Sequence, residues 1–116
     1  MIDLKGIEDI KGFMPNHEGK ALMSWATSFS RIGPLLEIGS FCGKSSIYLG
    51  LACKKENQVV FTIDHHKGSE EHQLNEEYFD SEIFDYNLNA VNTFPLFINL
   101  LMDVIYLLIR RSKILS

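Results

Sequence analysis

The chain has 116 residues, 46% of them hydrophobic, with 15 acidic and 11 basic side chains and a net charge of −4. That composition fits one globular domain and excludes collagen-like, disulfide-scaffold and disordered chains. No excess of Lys and Arg is present to neutralise phosphates, so a nucleic-acid partner is not favoured.

Cys42 and Cys53 are the two cysteines and belong to no C-x-x-C pair. The segment Met1 to Asn16 lacks the basic-then-apolar pattern of a secretory signal, which makes a reducing cytoplasm the expected location.

The first predicted element starts at Asn16, read as an N-cap, with Glu18 in the first turn. Ala21, Leu22, Trp25, Ala26, Phe29 and Ile32 follow at helical spacing until Gly33-Pro34 ends the run, giving an amphipathic helix over 16–32. Leu35 to Ile38 is a short apolar strand that enters a glycine-containing turn. Ser45 to Lys55 reads as a helix, with Lys54 and Lys55 at its negative end. Asn57 breaks it, and Val59 to Ile63 is β-branched and aromatic enough for a buried parallel strand that ends at Asp64. The segment 35–64 is therefore a β-α-β unit.

His65 to Ser81 is polar and acidic and reads as a long loop, at the strand end where ligands are met in open α/β sheets. From Ile83 to Met102 the pattern gives helical stretches around a break near Pro95, with Val104 to Ile109 as a third strand. Phe94 to Ile109 is almost continuously apolar and is followed by Arg110, Arg111 and Lys113, which raises the question of a membrane span. A span needs about 20 apolar residues, and Asp103 near its centre would cost about 2.5–3.5 kcal/mol, so insertion is not favoured.

The chemistry is concentrated at Glu37-Ile38-Gly39-Ser40-Phe41-Cys42-Gly43-Lys44-Ser45-Ser46, where the first strand turns into the next helix. Gly39 and Gly43 let the backbone turn tightly and leave N–H groups free for a ligand. Glu37 is out of place beside a phosphate but suits the ammonium of an amino acid. A dinucleotide fingerprint needs glycines where Phe41 and Lys44 stand. A P-loop ending in Gly43-Lys44-Ser45 needs four residues after its first glycine, and only three separate Gly39 from Gly43. Asp64, at the end of the second strand, is placed to accept hydrogen bonds from ribose hydroxyls. Taken singly, Glu37 pairs with a lysine, the glycines make a turn and Asp64 caps the next segment; their spacing favours the ligand reading.

Glu37, Gly39, Gly43 and Asp64 together resemble the first two motifs of class I S-adenosyl-L-methionine (SAM) dependent methyltransferases. The likeness extends to Glu18-Gly19-Lys20-Ala21-Leu22, to Asp64-His65-His66-Lys67-Gly68-Ser69-Glu70-Glu71-His72-Gln73 and to Asn92-Thr93-Phe94-Pro95-Leu96-Phe97. It covers residues 15 to 98 and is similar to one bacterial branch, methyltransferase family 24. The resemblance implies a Rossmann-like class I methyltransferase fold, here its N-terminal half with an incomplete sheet. It implies SAM as cofactor, held by Glu37, Gly39, Ser40, Phe41, Gly43, Ser45, Asp64 and His65, with the methionine end at the glycine turn and the ribose at Asp64.

His65, His66 and His72 with Glu70 and Glu71 are potential metal ligands by type, but their spacing fits no standard site, and they read as loop residues. Cys42 reads as a small packing residue, since no histidine is placed by sequence to activate it. The expected organisation is one partial domain over 1–116: helix 16–32, cofactor unit 35–64, loop 65–81, then helix and tail 83–116. No segment of the type Phe/Ile-Asp-Gly-Gly-His, which the family branch carries on its fourth strand, is found, and the match fades from Asn99 onward. A truncated or frameshifted methyltransferase is therefore expected, with catalytic residues and methyl acceptor unassigned. Its first strand would be an exposed edge inviting a homo-oligomer. The alternative reading is a non-catalytic half-domain that associates through that edge.

Overall fold

Two apolar tetrads make the sheet: β1 (Leu35–Ile38) and β2 (Val60–Ile63) lie parallel, with Leu35 opposite Val60, Leu36 opposite Phe61, Glu37 opposite Thr62 and Ile38 opposite Ile63. Parallel neighbours need a crossover, supplied here by helix α3 (Lys44–Lys55). Preceding them are a short helix α1 (Lys5–Glu8) and the amphipathic α2 (Asn16–Ser30). The computed structural model describes the backbone of residues 5–115 and the side chains of residues 6–104.

Alternation along the strands decides which face is covered. Leu35 and Val60 turn toward α2 and α3, where Ala26, Leu49 and Ala52 are buried and Leu22 and Met23 pack against them. The next residues along each strand face the other way: Leu36, Ile38, Phe61 and Ile63 are all at least 60% exposed. The two helices approach closely because Gly19 has no side chain; a Cβ there would lie 2.2 Å from the buried ring of Tyr48.

The helix start differs in detail from the sequence reading. Pro15 occupies the N-cap position without a side-chain cap, and Asn16 is already helical. Proline's fixed φ and missing N–H suit the edge of a helix, where the donor has no intrahelical partner.

The C-terminal third requires two corrections. Residues 83–91 are not helical: β3 (Phe84–Asp85) and β4 (Ala90–Val91) form an antiparallel hairpin, with Phe84 opposite Val91. The Asp85 carboxylate accepts the N–H groups of Asn87 and Leu88, and Asn89 adopts a left-handed φ of 49°, so turn chemistry overrides helix propensity. Val104 to Ile109 is not a strand but the middle of α4 (Phe94–Leu115). Phe97 is buried, and Leu100 and Val104 pack against the Ile7–Ile47–Tyr48 cluster, a spacing of three and four that belongs to one helix face. Pro95 lies in the first turn of α4, where it breaks nothing.

Between β2 and β3 the chain is loop apart from one 3-10 turn at Glu70–His72. Ile83, Phe84 and Val91 close a small core over this region together with Cys42, with Phe41 and Phe79 packed on it. Among the described residues, no helix is long and apolar enough to cross a membrane.

Candidate functional site

The turn after β1 is built on three residues with positive φ: Gly39 at 87°, Phe41 at 50° and Gly43 at 97°. Gly39 N–H donates to Ile63 O at 2.8 Å, which extends the strand pairing to the turn. Gly43 N–H donates to Ser40 O at 2.8 Å and Gly43 then serves as the N-cap of α3 with no side-chain cap. The first N–H groups of a helix have no intrahelical carbonyl partner, so this end of α3 is suited to a carboxylate or another anion.

Asp64 joins the two strand ends. Its Oδ2 accepts the backbone N–H of Ser40 at 2.6 Å and of Phe41 at 2.7 Å, and its Oδ1 accepts that of His66 at 2.7 Å. Burial works against the charged carboxylate, but the N–H groups of His66, Phe41 and Ser40 outweigh it and hold the Asp64 pKa below the ordinary carboxylate value.

Glu37, expected to face a ligand ammonium, is only 8% exposed. Its two oxygens accept the hydroxyls of Ser45 and Ser46, each at 2.5 Å, and so fix the first turn of α3 to the middle of β1. Of the two serines, Ser45 is partly exposed beside the turn. The Ser40 hydroxyl is buried and has no hydrogen-bond partner. A buried hydroxyl left unpaired costs about 1–3 kcal/mol, so a polar ligand group that reached it would recover that loss.

Three cavities surround the turn. The smallest, about 90 Å³, is lined by Gly39, Ser40, Cys42 and Ser45 on one side and by Lys11 to Met14 on the other. It shares Lys11, Gly12, Phe13 and Phe41 with a cavity of about 430 Å³ that continues to Tyr78, Phe79, Asp80 and Ser81. The third, about 400 Å³, lies beyond Asp64 and is lined by His65, His66, Lys67, Val91 and Phe94 among others. A larger cavity of about 820 Å³ lies between α3, β2 and α4, away from the turn, and is mainly apolar in its lining.

The structure therefore gathers Glu37, Gly39, Ser40, Phe41, Gly43, Ser45 and Asp64 at one turn, while His65 is exposed in the neighbouring cavity, its Nδ1 accepting Lys67 N–H at 3.0 Å. The histidines do not converge. His66 pairs through Nδ1 with the Thr93 hydroxyl at 2.9 Å, and His72 with that of Ser69 at 2.7 Å. No group of three or more His, Cys, Asp or Glu side chains among the described residues is arranged to hold a metal. Cys42 is packing, as its sequence context indicated: it is 2% exposed, and burial raises its thiol pKa to about 11.

Sequence reasoning missed the wall made by Lys11 to Met14 and the opposing Tyr78 to Ser81. Lys11 pairs with Asp80 and Glu82, 69 and 71 residues away, a contact without a local sequence signal. An N-terminal lysine among turn residues gives no periodicity from which such a partner can be read.

The strand–turn–helix–strand arrangement, the glycine conformations and the acid at the end of β2 all coincide with the region covered by a family comparison. A model described as a methyltransferase domain matches residues 36–102, more than half of the chain. The match spans the turn, Asp64, the loop, the hairpin and the first turns of α4. On this evidence the chain belongs to methyltransferase family 24, with the helix-flanked parallel pair of a partial Rossmann-like fold.

Proposed function

We propose that the chain binds SAM across the turn after β1 and serves methyl transfer to an acceptor. When bound, SAM supplies an electrophilic methyl group on a sulfonium. In this reading the methionine end occupies the cavity between Gly39–Ser45 and Lys11–Met14, its carboxylate near the uncapped start of α3 and its polar groups within reach of the Ser40 hydroxyl. Asp64 holds the ribose, and His65 borders the space for the adenine.

The observation that carries this reading is the Asp64 carboxylate, charged and fixed to the turn by Ser40 and Phe41 N–H at the C-terminal end of a parallel strand. A carboxylate has about four acceptor positions. Three are used by backbone donors, which leaves one for a ribose hydroxyl.

Isothermal titration with S-adenosylhomocysteine tests it. Binding is expected in the wild type, and Asp64→Ala and Glu37→Ala are expected to weaken it, the first through lost ribose contacts and the second through a displaced Ser45. Absence of binding by the folded wild type would overturn the proposal.

A second reading rests on a separate observation. Among the described residues β1 has a partner on one edge only, and the exposed sheet face carries Leu36, Ile38, Phe61 and Ile63. Unpaired edges and apolar faces of this kind promote association. In this reading the chain is an interaction half-domain that pairs with a second copy; it predicts concentration-dependent oligomers without any thermal shift from S-adenosylhomocysteine.

A further inference from the structure

Phe13, Phe41, His72 and Tyr78 form one aromatic cluster, and all but His72 line the cavity of about 430 Å³. Phe13 is the hub: its ring centroid lies 5.6 Å from Phe41, 5.4 Å from His72 and 5.7 Å from Tyr78. Phe13 is 65% exposed and Tyr78 48%, although large aromatic side chains are usually covered in a folded domain. The cavity falls within the range of about 300–1,000 Å³ typical of small-molecule sites.

Charge narrows the ligand further. Lys11 is the ammonium in the lining, and it is paired with both Asp80 and Glu82. Asp80 lines the cavity and offsets Lys11, and Glu82, outside the lining but bonded to the same ammonium, adds one negative charge beside it. Among the described residues a carboxylate or phosphate ligand meets no unpaired cation in this lining, whereas an organic cation meets the Asp80 carboxylate and the faces of aromatic rings, which attract cations.

We infer that this cavity binds the methyl acceptor, and that the acceptor is a flat aromatic molecule with a cationic amine rather than an acidic one. Its ring packs against the exposed surfaces of Phe13 and Tyr78, and its ammonium faces Asp80. The assignment as acceptor site rests on the proposed cofactor position, because the cavity shares Phe41 and the Lys11–Phe13 wall with the cavity at the glycine turn.

The test uses three probes with one ring: tyramine, the neutral p-cresol and the anionic 4-hydroxyphenylacetate, each titrated into the 15N-labelled full chain. Tyramine is expected to shift the amides of residues 11–13 and 78–81 and to bind at least about tenfold more tightly than 4-hydroxyphenylacetate, a difference in the range of one cation–aromatic contact. Phe13→Ala, at an exposed position, is expected to weaken tyramine by about tenfold while the remaining spectrum is retained. Equal binding of the acid and the amine, shifts elsewhere, insensitivity to Phe13→Ala, or no binding of tyramine overturns the inference. S-adenosylhomocysteine is titrated separately: if it binds and tyramine does not, the cofactor reading stands and the aromatic site fails. If tyramine binds as described and S-adenosylhomocysteine does not, the aromatic site stands and its assignment as an acceptor site fails with the cofactor reading.

Discussion

Asp64 and Ser40 are 24 residues apart, and the Asp64 carboxylate accepts the Ser40 backbone N–H at 2.6 Å, so the end of β2 holds the turn that follows β1. The same oxygen takes the Phe41 N–H, at a residue with positive φ. The turn after β1 is therefore maintained by a charged side chain from the neighbouring strand as well as by its glycines.

Stability should depend on pH through this carboxylate. The folded-state pKa of Asp64 lies below its ordinary value, so its contribution is fully present above the unfolded pKa of about 4 and is lost as pH falls through the folded value. Urea titrations of wild type and Asp64→Asn between pH 7 and pH 3 should show a gap that is constant near neutrality and narrows in acid. A gap that widens in acid would contradict the assignment. Asp80, whose pKa is lowered chiefly by the hydrogen bond from Lys11, contributes with the same sign.

Gly43 and Gly39 should differ when replaced by alanine. Both carry positive φ, so each substitution incurs backbone strain of roughly 1–2 kcal/mol. A Cβ at Gly43 would also lie 3.0 Å from Phe97 and Leu100, whereas one at Gly39 meets nothing within 4 Å. Gly43→Ala is expected to lower the urea midpoint distinctly more than Gly39→Ala.

Glu37→Ala removes the acceptor for two serine hydroxyls, of which Ser46 is 5% exposed. A buried donor left unsatisfied costs on the order of 1–3 kcal/mol, so a loss in that range is expected by chemical denaturation. Glu37→Gln, which keeps one carbonyl acceptor, should recover part of it.

Cys42 should resist thiol reagents. Its buried thiol, with a pKa raised to about 11, is almost entirely protonated at pH 8. Reaction with a disulfide reagent is expected at the rate of unfolding in native buffer and immediately in denaturant; fast native labelling at Cys42 would show that the core around Ile83, Phe84 and Val91 is open.

The exposed sheet face should govern self-association. Ile38→Lys and Phe61→Lys place charges on opposite strands of the same face, at positions already 79% and 60% exposed, where they cost little in the monomer. Light scattering across a concentration series should show less association for the double variant than for the wild type.

The β-α-β unit was legible because its signals are local: an apolar tetrad, two glycines at a turn, a helical run and a β-branched strand. Asp64 was legible for the same reason, by its place at a strand end. Its hold on Ser40 and Phe41 was not, because that contact depends on how two strands pair. Glu37 suits a ligand ammonium on sequence alone because nothing along the strand announces that Ser45 and Ser46, at the start of α3, point back at it. The hairpin at 84–91 escaped because two-residue strands have no period, although Asp85, Asn87 and Asn89 carried its turn chemistry. At Val104 a β-branched residue in an apolar run suggests a strand, but its spacing from Phe97 and Leu100 belongs to one helix face, and tertiary packing decides for helix.

Whether a cofactor lies against the glycine turn is decided by calorimetric titration of S-adenosylhomocysteine into the wild type and Gly39→Ala. Among the described residues the new methyl group meets nothing within 4 Å beyond its chain neighbours, so it points into open space, where the proposed cofactor would lie. The wild type is expected to bind and the folded variant to lose at least about tenfold, as when a side chain intrudes on a close backbone approach. Equal binding by both proteins, or none by the folded wild type, would contradict a cofactor at this turn.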